Sequence, residues 1–571
     1  MTTELKRTRT APEQSPEHAQ NDQHLSRARS TPEDETNNRL FPPQFLDDHG
    51  SHRYHFHSDD DEIIDEDSPS DSSSQTVDID DKEDRDVEAN RPQIRREKST
   101  KSIKDATLVS WESDKDPENP KNWTYRKKWA ATLIISAFTF ISPVSSSMTA
   151  PALNVIGEDL GINNNIEKSL TLSIFVLAYA VGPLLLGPLS EIYGRVIVIQ
   201  LANLFFLVFN IGCGFAQTKG QLIAFRFLSG LGGSAPLSIG GGVLSDVWHA
   251  EERGKSISIY SLAPLLGPAV GPIAGGFIAE NTTWRWCFWS TSLVDAGIQC
   301  LGLIYLRETY APKILAIKAK RLRKETGNPK LHTEWELPDR TFGKVLRTSL
   351  VRPFRLLGTQ IIIQVLALYM AYLYGLLYLV LSTFPSVWEG IYHESVGIGG
   401  LNYISLGVGF FIGAQSTARM NDKIYIKLKQ RNNNIGRPEF RVPLMIPGAL
   451  LVPIGLFIYG WTANRNIHWI APNIGAVIFS AGSIMGFQCT QTYIVDAYPR
   501  FAASAVASAV VLRSLAGFGF PLFAPYLYSA LHLNWGNSLL AFVGIAIGIP
   551  SPFLLWKYGE GLRERSTYAA G

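Results

Sequence analysis

From about residue 130 onward, apolar residues do not alternate with polar ones but run nearly unbroken for about twenty positions at a time, roughly the length a helix needs to cross a bilayer core. Such runs lie near 130–150, 168–188, 196–217, 221–245, 256–279 and 286–306. After a polar gap come runs near 358–384, 398–418, 443–462, 470–494, 503–530 and 537–557. The pattern predicts an all-α polytopic membrane protein with 12 transmembrane helices, six before and six after a loop over 307–357.

Charge sharpens that picture. The chain has 571 residues, of which 46% are hydrophobic and 18% charged. Residues 1–110 carry a net charge of −11 and the remainder +13, so the tail and the membrane region differ in kind. The tail is rich in Ser, Asp, Glu, Asn and Pro and cannot bury enough apolar surface to offset its ordering entropy, which predicts a disordered acidic tail over 1–110. It holds an acidic block at 58–67 and, before the membrane, a basic patch of Arg95, Arg96, Lys98, Lys101 and Lys104. That patch is placed to touch anionic lipid or to present Ser99 and Thr100 to a kinase; the alternative is an unregulated solvated tail. A juxtamembrane segment over 111–129 leads into a bundle over 130–306, the loop over 307–357, a second bundle over 358–557 and a short terminus over 558–571.

Met1 to Gly50 is polar and lacks the apolar core of a signal peptide, so the first span is expected to direct insertion. Basic residues set the topology: 24 fall in the loops that share a side with the termini and four on the other side. Lys and Arg are retained in the cytosol, so both termini are expected there. The sequon at Asn281 falls in an outside loop close to the membrane, a candidate glycosylation site, whereas the one at Asn122 falls inside. Cys213, Cys287, Cys300 and Cys489 lie in or beside apolar runs without metal-ligand spacing, so no metal is expected and they read as small core residues.

Charged side chains at membrane depth are costly and each is a functional candidate. Arg226 is followed by Gly230 and Gly232 in span 4, which places a cation on a helix that packs closely. It either tunes a nearby carboxylate in proton coupling or caps backbone carbonyls. Asp295 is the carboxyl placed well inside a span, suited to exchanging a proton or to a buried structural hydrogen bond. Asp246 ends span 4, Asp496 lies near the end of span 10, and Glu191 and Arg195 occupy the turn between spans 2 and 3. Arg513, with Ser514 and Gly517, mirrors the Arg226 arrangement in the second half.

Span 5 is more specific. Gly267, Gly271 and Gly275 recur every four residues, while Pro264, Pro268 and Pro272 line an adjacent face, and Gly276 ends the run. A side-chain-free stripe lets two membrane helices approach closely, and the prolines remove successive donors and bend the helix. The arrangement predicts a bent helix that seals one side of a pathway, or a purely structural kink. Gln364, Tyr374, Tyr378, Gln488 and Gln491 are candidates to line a cavity for an amphipathic organic compound; tyrosines near span ends also serve as interfacial belts.

These motifs, in this order, resemble the major facilitator superfamily and, more narrowly, the fungal twelve-span drug:proton antiporter family, over roughly residues 111–557. The run from Gly187 to Val196 is similar to the family's loop 2–3 signature, with Glu191 in place of the usual Asp and Ile192 and Val196 in place of basic residues. A degenerate counterpart runs from Gly413 to Asp422 and Lys423. Arg226, Gly230 and Gly232 match the span 4 motif assigned to proton transfer. Gly267, Pro268, Gly271, Pro272, Gly275 and Gly276 match the span 5 antiporter motif. The stretches Trp111 to Trp123, Arg307 to Pro312 and Tyr493 to Tyr498 also look like fungal members.

The resemblance implies two six-helix bundles, a substrate cavity between them near the midplane, alternating access and export of xenobiotics or secondary metabolites against inward proton flow. The expected partners are small-molecule substrate, protons and the lipid bilayer, with no nucleic acid and no cofactor, from a monomer in the fungal plasma membrane. A polyamine or nutrient porter and a non-transporting sensor are the alternatives. No nucleophile–base pair or phosphate-binding glycine loop points to an enzyme.

Overall fold

The computed structural model describes residues 107–249, 252–336, 342–566 and 568–569. The predicted acidic tail, its basic patch, Ser99 and Thr100 lie outside the described residues. Within them the chain is helical, and the only strand-like pairing is one bridge between Leu108 and His332. Helices follow from the solvent: a backbone inside hydrocarbon must satisfy its own N–H and C=O groups.

The first half holds α1 (Tyr125–Ser147), the short α2 (Leu153–Asp159), α3 (Asn165–Tyr193), α4 (Arg195–Gly214), α5 (Lys219–Gly233), α6 (Ala235–Val247), α7 (Arg253–Asn281) and α8 (Arg285–Tyr305). Span 4 is thus divided into α5 and α6 at Ser234, where Pro236 enters the first turn of α6 and withholds a donor. The loop between the halves holds α9 (Ala311–Thr326) and α10 (Phe342–Thr359).

The second half holds α11 (Ile361–Trp388), the short α12 (Val396–Leu401), α13 (Tyr403–Arg431), α14 (Met445–Asn464), α15 (Ile470–Ala497), α16 (Ala502–Gly548) and α17 (Pro550–Glu564). Eleven stretches of the described residues are long and apolar enough to span a membrane, and the last, Pro499–Glu564, is long enough for two passes. The backbone of His532 leaves the helical region there (φ 55°, ψ 177°). A Cβ on Gly536 would lie 2.7 Å from the Tyr528 ring, which a straight helix keeps well over 10 Å away, so the chain doubles back. Twelve crossings result, with both ends of the membrane region on one side.

The opening helix of each half stands in the interior. The membrane windows of α1 and α11 are 78% and 83% buried, against 39% for α8 on the periphery. Spacing of small residues decides which helices touch: Gly455 of α14 lies against the backbone of Phe479 and Gly475 in α15, and Gly232 of α5 against Ala202 and Phe206 in α4.

The segment before α1 is a compact knot. The Asp116 carboxylate accepts from the backbone N–H groups of Glu112 (3.0 Å) and Glu118 (2.9 Å), and Asn122 donates to the carbonyls of Asp114 and Asp116. The knot is tied to α9, where Lys318 reaches Glu112 at 3.0 Å and Asp116 at 3.4 Å. Residues 107–110, expected to belong to the disordered tail, instead pair with the central loop through Val109 N–H to His332 O (2.8 Å) and His332 N–H to Thr107 O (2.9 Å).

Candidate functional site

The glycine stripe of α7 lies on α1. A Cβ on Gly267 would fall 2.6 Å from Pro143 Cβ, one on Gly271 2.7 Å from the Val144 carbonyl oxygen, and one on Gly275 2.0 Å from that of Met148. No side chain fits at any of these three positions of α7. Gly276 turns to the second half, with Val396 O at 2.8 Å from its notional Cβ and Gly400 Cα at 3.3 Å. Pro268 and Pro272 lie inside the same helix, and the carbonyl of Pro272 in turn faces Gly400. One helix therefore joins the two halves at the end remote from the termini. Glu280 adds a hydrogen bond from Gly397 N–H at 2.7 Å, and Asn154 donates to Glu389 at 3.2 Å across the same boundary.

Arg226 is fully buried. Helix α1 ends at Ser147, which leaves its last carbonyls without helical donors. Arg226 supplies them: Nη1 donates to Ser145 O (2.9 Å), Nη2 to Ser146 O (3.0 Å) and Nε to Thr171 O of α3 (3.1 Å). The guanidinium also lies 4.7 Å from the centre of the Phe175 ring. No described carboxylate pairs with it, and of the two expectations carbonyl capping is the one this structure displays. A cation at a helix C-terminus also complements the helix dipole.

Asp295 is fully buried and points at α4, where Asn203 donates to both carboxylate oxygens (3.1 and 3.0 Å) and to Gln299 (2.8 Å). One helix turn pair further along α4, buried Asn210 accepts from Ser145 and donates to Phe288, Thr291 and Ser292. Both amides escaped the sequence reading. Their signal was a spacing of seven within an apolar run, which puts them on one helix face.

At the terminal side, Gly194 separates α3 from α4 with φ 106°, a conformation that favours glycine, and a Cβ there would meet the Glu308 carboxylate at 2.4 Å. Glu308 accepts the N–H groups of Arg195 (2.9 Å) and Val196 (3.2 Å), an anion on the N-terminus of α4. Arg195 reaches Asp246 (3.4 Å) and Ser190 (2.8 Å) and lies 4.7 Å from the Tyr310 ring centre. Glu191, expected beside Arg195, is exposed and makes no ion pair among the described residues, because it sits on the outward face of the last turn of α3. The second half repeats the device: Arg441 meets Asp496 (2.9 Å) at the end of α15 and Asp422 (2.6 Å) within α13.

Between the halves lies an aromatic surface. Tyr378 of α11 shares a hydrogen bond with Ser146 of α1 at 2.9 Å, and its ring lies 5.1 Å from that of Tyr374. Tyr374 in turn faces Phe487 of α15. Arg513 of α16 is 5.0 Å from the centres of both rings. Gln488 is partly buried on α15 beside Phe487. Gln364 and Gln491 do not join this surface. Both are exposed near the terminal ends of their helices, and Gln364 donates to Gly358 O. The predicted glycosylation site Asn281 is exposed at the end of α7 and donates to Phe277 O.

Two cavities, of about 410 and 870 Å³, are lined by first-half and loop residues alone and lie away from the seam. Among the described residues no cluster of three His, Cys, Asp or Glu could hold a metal ion.

Residues 135–521 match the family model described as Major Facilitator Superfamily. The chain belongs to the major facilitator superfamily. This facilitator is 52% identical over 468 residues to the efflux pump vrtL of Penicillium aethiopicum, covering 82% of this chain and 92% of that one. It is 46% identical to an uncharacterised transporter of Schizosaccharomyces pombe, covering 84% and 97% of the two chains. It is 41% identical to the efflux pump radE of Floropilus chiversii, covering 81% and 86%. Among solved structures, the xylose transporter XylE of E. coli in a partially occluded inward-open conformation superposes with a TM-score of 0.56 at 17% identity, over 76% of this chain and 98% of that one. That likeness shows the fold. The facilitator is thus a multi-pass membrane transporter rather than an enzyme, with fungal efflux pumps among its relatives.

Proposed function

We propose that this facilitator is a proton-coupled antiporter that exports small organic compounds, such as drugs, toxins or secondary metabolites, across the fungal plasma membrane by alternating access. Both termini face the cytosol, the working unit is a monomer, and the proton gradient takes the place of a cofactor. The observation that carries the reading is the side-chain-free seam of α7 against α1, continued by Gly276 against Gly400 of the second half. The stripe fixes α7 against α1 within the first half. At Gly276 and Gly400 small residues of the two halves meet with no side chain between them, a contact that can part and re-form as rocking of one half against the other requires.

Asp295 supports coupling. Its carboxyl is buried against an amide rather than a cation, so it can take or release a proton without breaking an ion pair. Proton entry supplies about 2.3 kcal/mol per charge for each 100 mV of membrane potential. A polyamine porter fits the aromatic surface less well, because the charge set between Tyr374 and Phe487 is a cation.

The test is efflux of a neutral lipophilic fluorescent probe from cells expressing the protein, with and without a protonophore. Efflux that collapses with the gradient is the expected result. Efflux that persists unchanged excludes proton coupling, and no efflux from correctly localised protein excludes broad export.

A further inference from the structure

The two membrane-depth arginines of the facing halves are treated differently by the fold. Arg226 gives its donors to carbonyls of α1 and α3. Arg513 makes no hydrogen bond or ion pair with any described residue, and its Nε is buried without an acceptor. A guanidinium carries five N–H donors in a fixed fork, and aromatic faces do not accept them as oxygens do. An intramembrane cation in this state is costly unless something else supplies the anion.

The surroundings say what that something is. The described acids at comparable positions are committed elsewhere: Asp295 to Asn203, Asp246 to Arg195, and Asp496 to Arg441. Arg513 is only partly buried, as are Tyr374 and Phe487, so the site has room on the seam side. Gly517, one turn along α16, makes room for one edge of the Tyr374 ring (Cδ1 2.8 Å from its notional Cβ), with Val176 of α3 in the first half at 3.0 Å. The guanidinium thus sits at the meeting of the two halves, walled by two aromatic rings.

We propose that Arg513 is the counter-ion for an anionic substrate: the exported compound carries a carboxylate or an acidic phenol or enol on an aromatic framework, whose charge pairs with the guanidinium fork while its rings stack on Tyr374 and Phe487. This rests on the export reading and narrows it from small organic compounds to organic anions. Planar bidentate pairing with an oxyanion is the geometry arginine favours over lysine, and stacked aromatic walls suit a flat ligand.

Fluorescein and rhodamine 123 test it, since they share a ring framework and differ in charge, with the neutral dye Nile red as reference. Purified full-length protein is expected to bind fluorescein, read by anisotropy without any proton gradient, more tightly than rhodamine 123. Arg513→Gln is expected to weaken fluorescein binding by about 10- to 100-fold, as for loss of a charged hydrogen bond, and Nile red binding by a much smaller factor. Arg513→Lys is expected to recover part of the loss. In cells, the Gln variant is expected to lose fluorescein efflux by a much larger factor than Nile red efflux. Equal binding of the two charged dyes, or a Gln variant with unchanged fluorescein affinity, overturns the inference while leaving export intact. Equal loss of all three dyes from a well-folded Gln variant assigns Arg513 to structure and also overturns it. If wild-type protein exports none of the dyes and binds none, export itself fails, and the inference with it.

Discussion

A Cβ on Gly271 of α7 would lie 2.5 Å from Ser147 Oγ of α1, and Ser147 Oγ also donates to Gly267 O at 3.3 Å, so the two helices meet backbone to backbone. Gly271→Ala is expected to cost about 1–3 kcal/mol by overpacking and to slow transport, and Gly271→Leu to abolish it. Gly297→Ala, inside α8 with nothing within 4 Å of its Cβ, serves as the control and is expected to leave stability unchanged or raise it by up to about 1 kcal/mol. Thermal unfolding in detergent and probe efflux measure both. Wild-type transport by the Leu variant would show that the seam is not tight in any working state.

Arg226 caps the end of α1, so its loss is a structural event first. Arg226→Met strands the carbonyls of Ser145 and Ser146 in a buried place, at roughly 1–3 kcal/mol each, and removes a second donor from Thr171 O, which keeps its helical one. The expected outcome is a lower unfolding temperature and a poorer folded yield by fluorescence-detected size exclusion. Arg226→Lys is expected to recover little, because an ammonium cannot span three acceptors held by a fork. A Met variant of unaltered stability that no longer transports would return Arg226 to a direct coupling role.

Asp295→Asn keeps the side chain's shape and one acceptor for Asn203 while removing the titratable proton. Expected is a protein that still exchanges substrate across the membrane but no longer concentrates it in response to a pH gradient. Reconstituted vesicles with an imposed gradient read this directly. Gradient-driven uptake at the wild-type rate would leave Asp295 as a buried anchor for α4.

The tie between Asp116 and Lys318 sets a pH window. Burial works against the Asp116 carboxylate, but the N–H groups of Glu118 and Glu112 and the Lys318 ammonium hold its pKa below the ordinary 3.8. Burial likewise works against the Lys318 ammonium, yet Glu112 and Asp116 raise its pKa above 10.5. A lowered acid contributes stability that is present above its unfolded pKa, near 4, and is lost as pH falls through the folded value. A raised base contributes stability present below its unfolded pKa, near 10.4, and lost as pH rises through the folded one. The clamp is therefore expected to hold evenly from about pH 5 to 9. Lys318→Met is expected to weaken it by about 1–3 kcal/mol, seen as faster amide exchange over residues 107–123. Protection factors, that is exchange corrected for its intrinsic base-catalysed rise with pH, that vary across that range in the wild-type protein would contradict the assignment.

The membrane spans were legible because the bilayer acts on each segment separately. A run such as Ile361–Trp388 must be apolar along its length whatever it packs against, so composition alone marks it. The stripe of Gly267, Gly271 and Gly275 was legible for a related reason, since a period of four on a helix fixes one face without knowledge of the partner. Where a break came from backbone conformation, composition was less help. The expected boundary between spans 11 and 12 fell at 530–537, and the turn is made at His532 within a continuous run of helix.

Partners were another matter. The same four-residue spacing that announced close packing could not name α1 as the surface it meets. Arg226 and Arg513 look alike along the chain, each followed four residues later by glycine. Folding gives one of them the orphan carbonyls of α1, 80 and 81 positions upstream, and leaves the other between two rings with no oxygen to donate to. Glu191, Gln364 and Gln491 were placed by proximity in sequence or by polarity, and the rotation of their helices turns each outward. The sequence by itself thus determined that this chain crosses a membrane twelve times in two sets of six, because hydrocarbon tests every segment locally. Which buried charge is satisfied and which is left waiting was decided only by tertiary structure, because hydrogen-bond acceptors come from helices distant in the chain and their reach is a few ångströms.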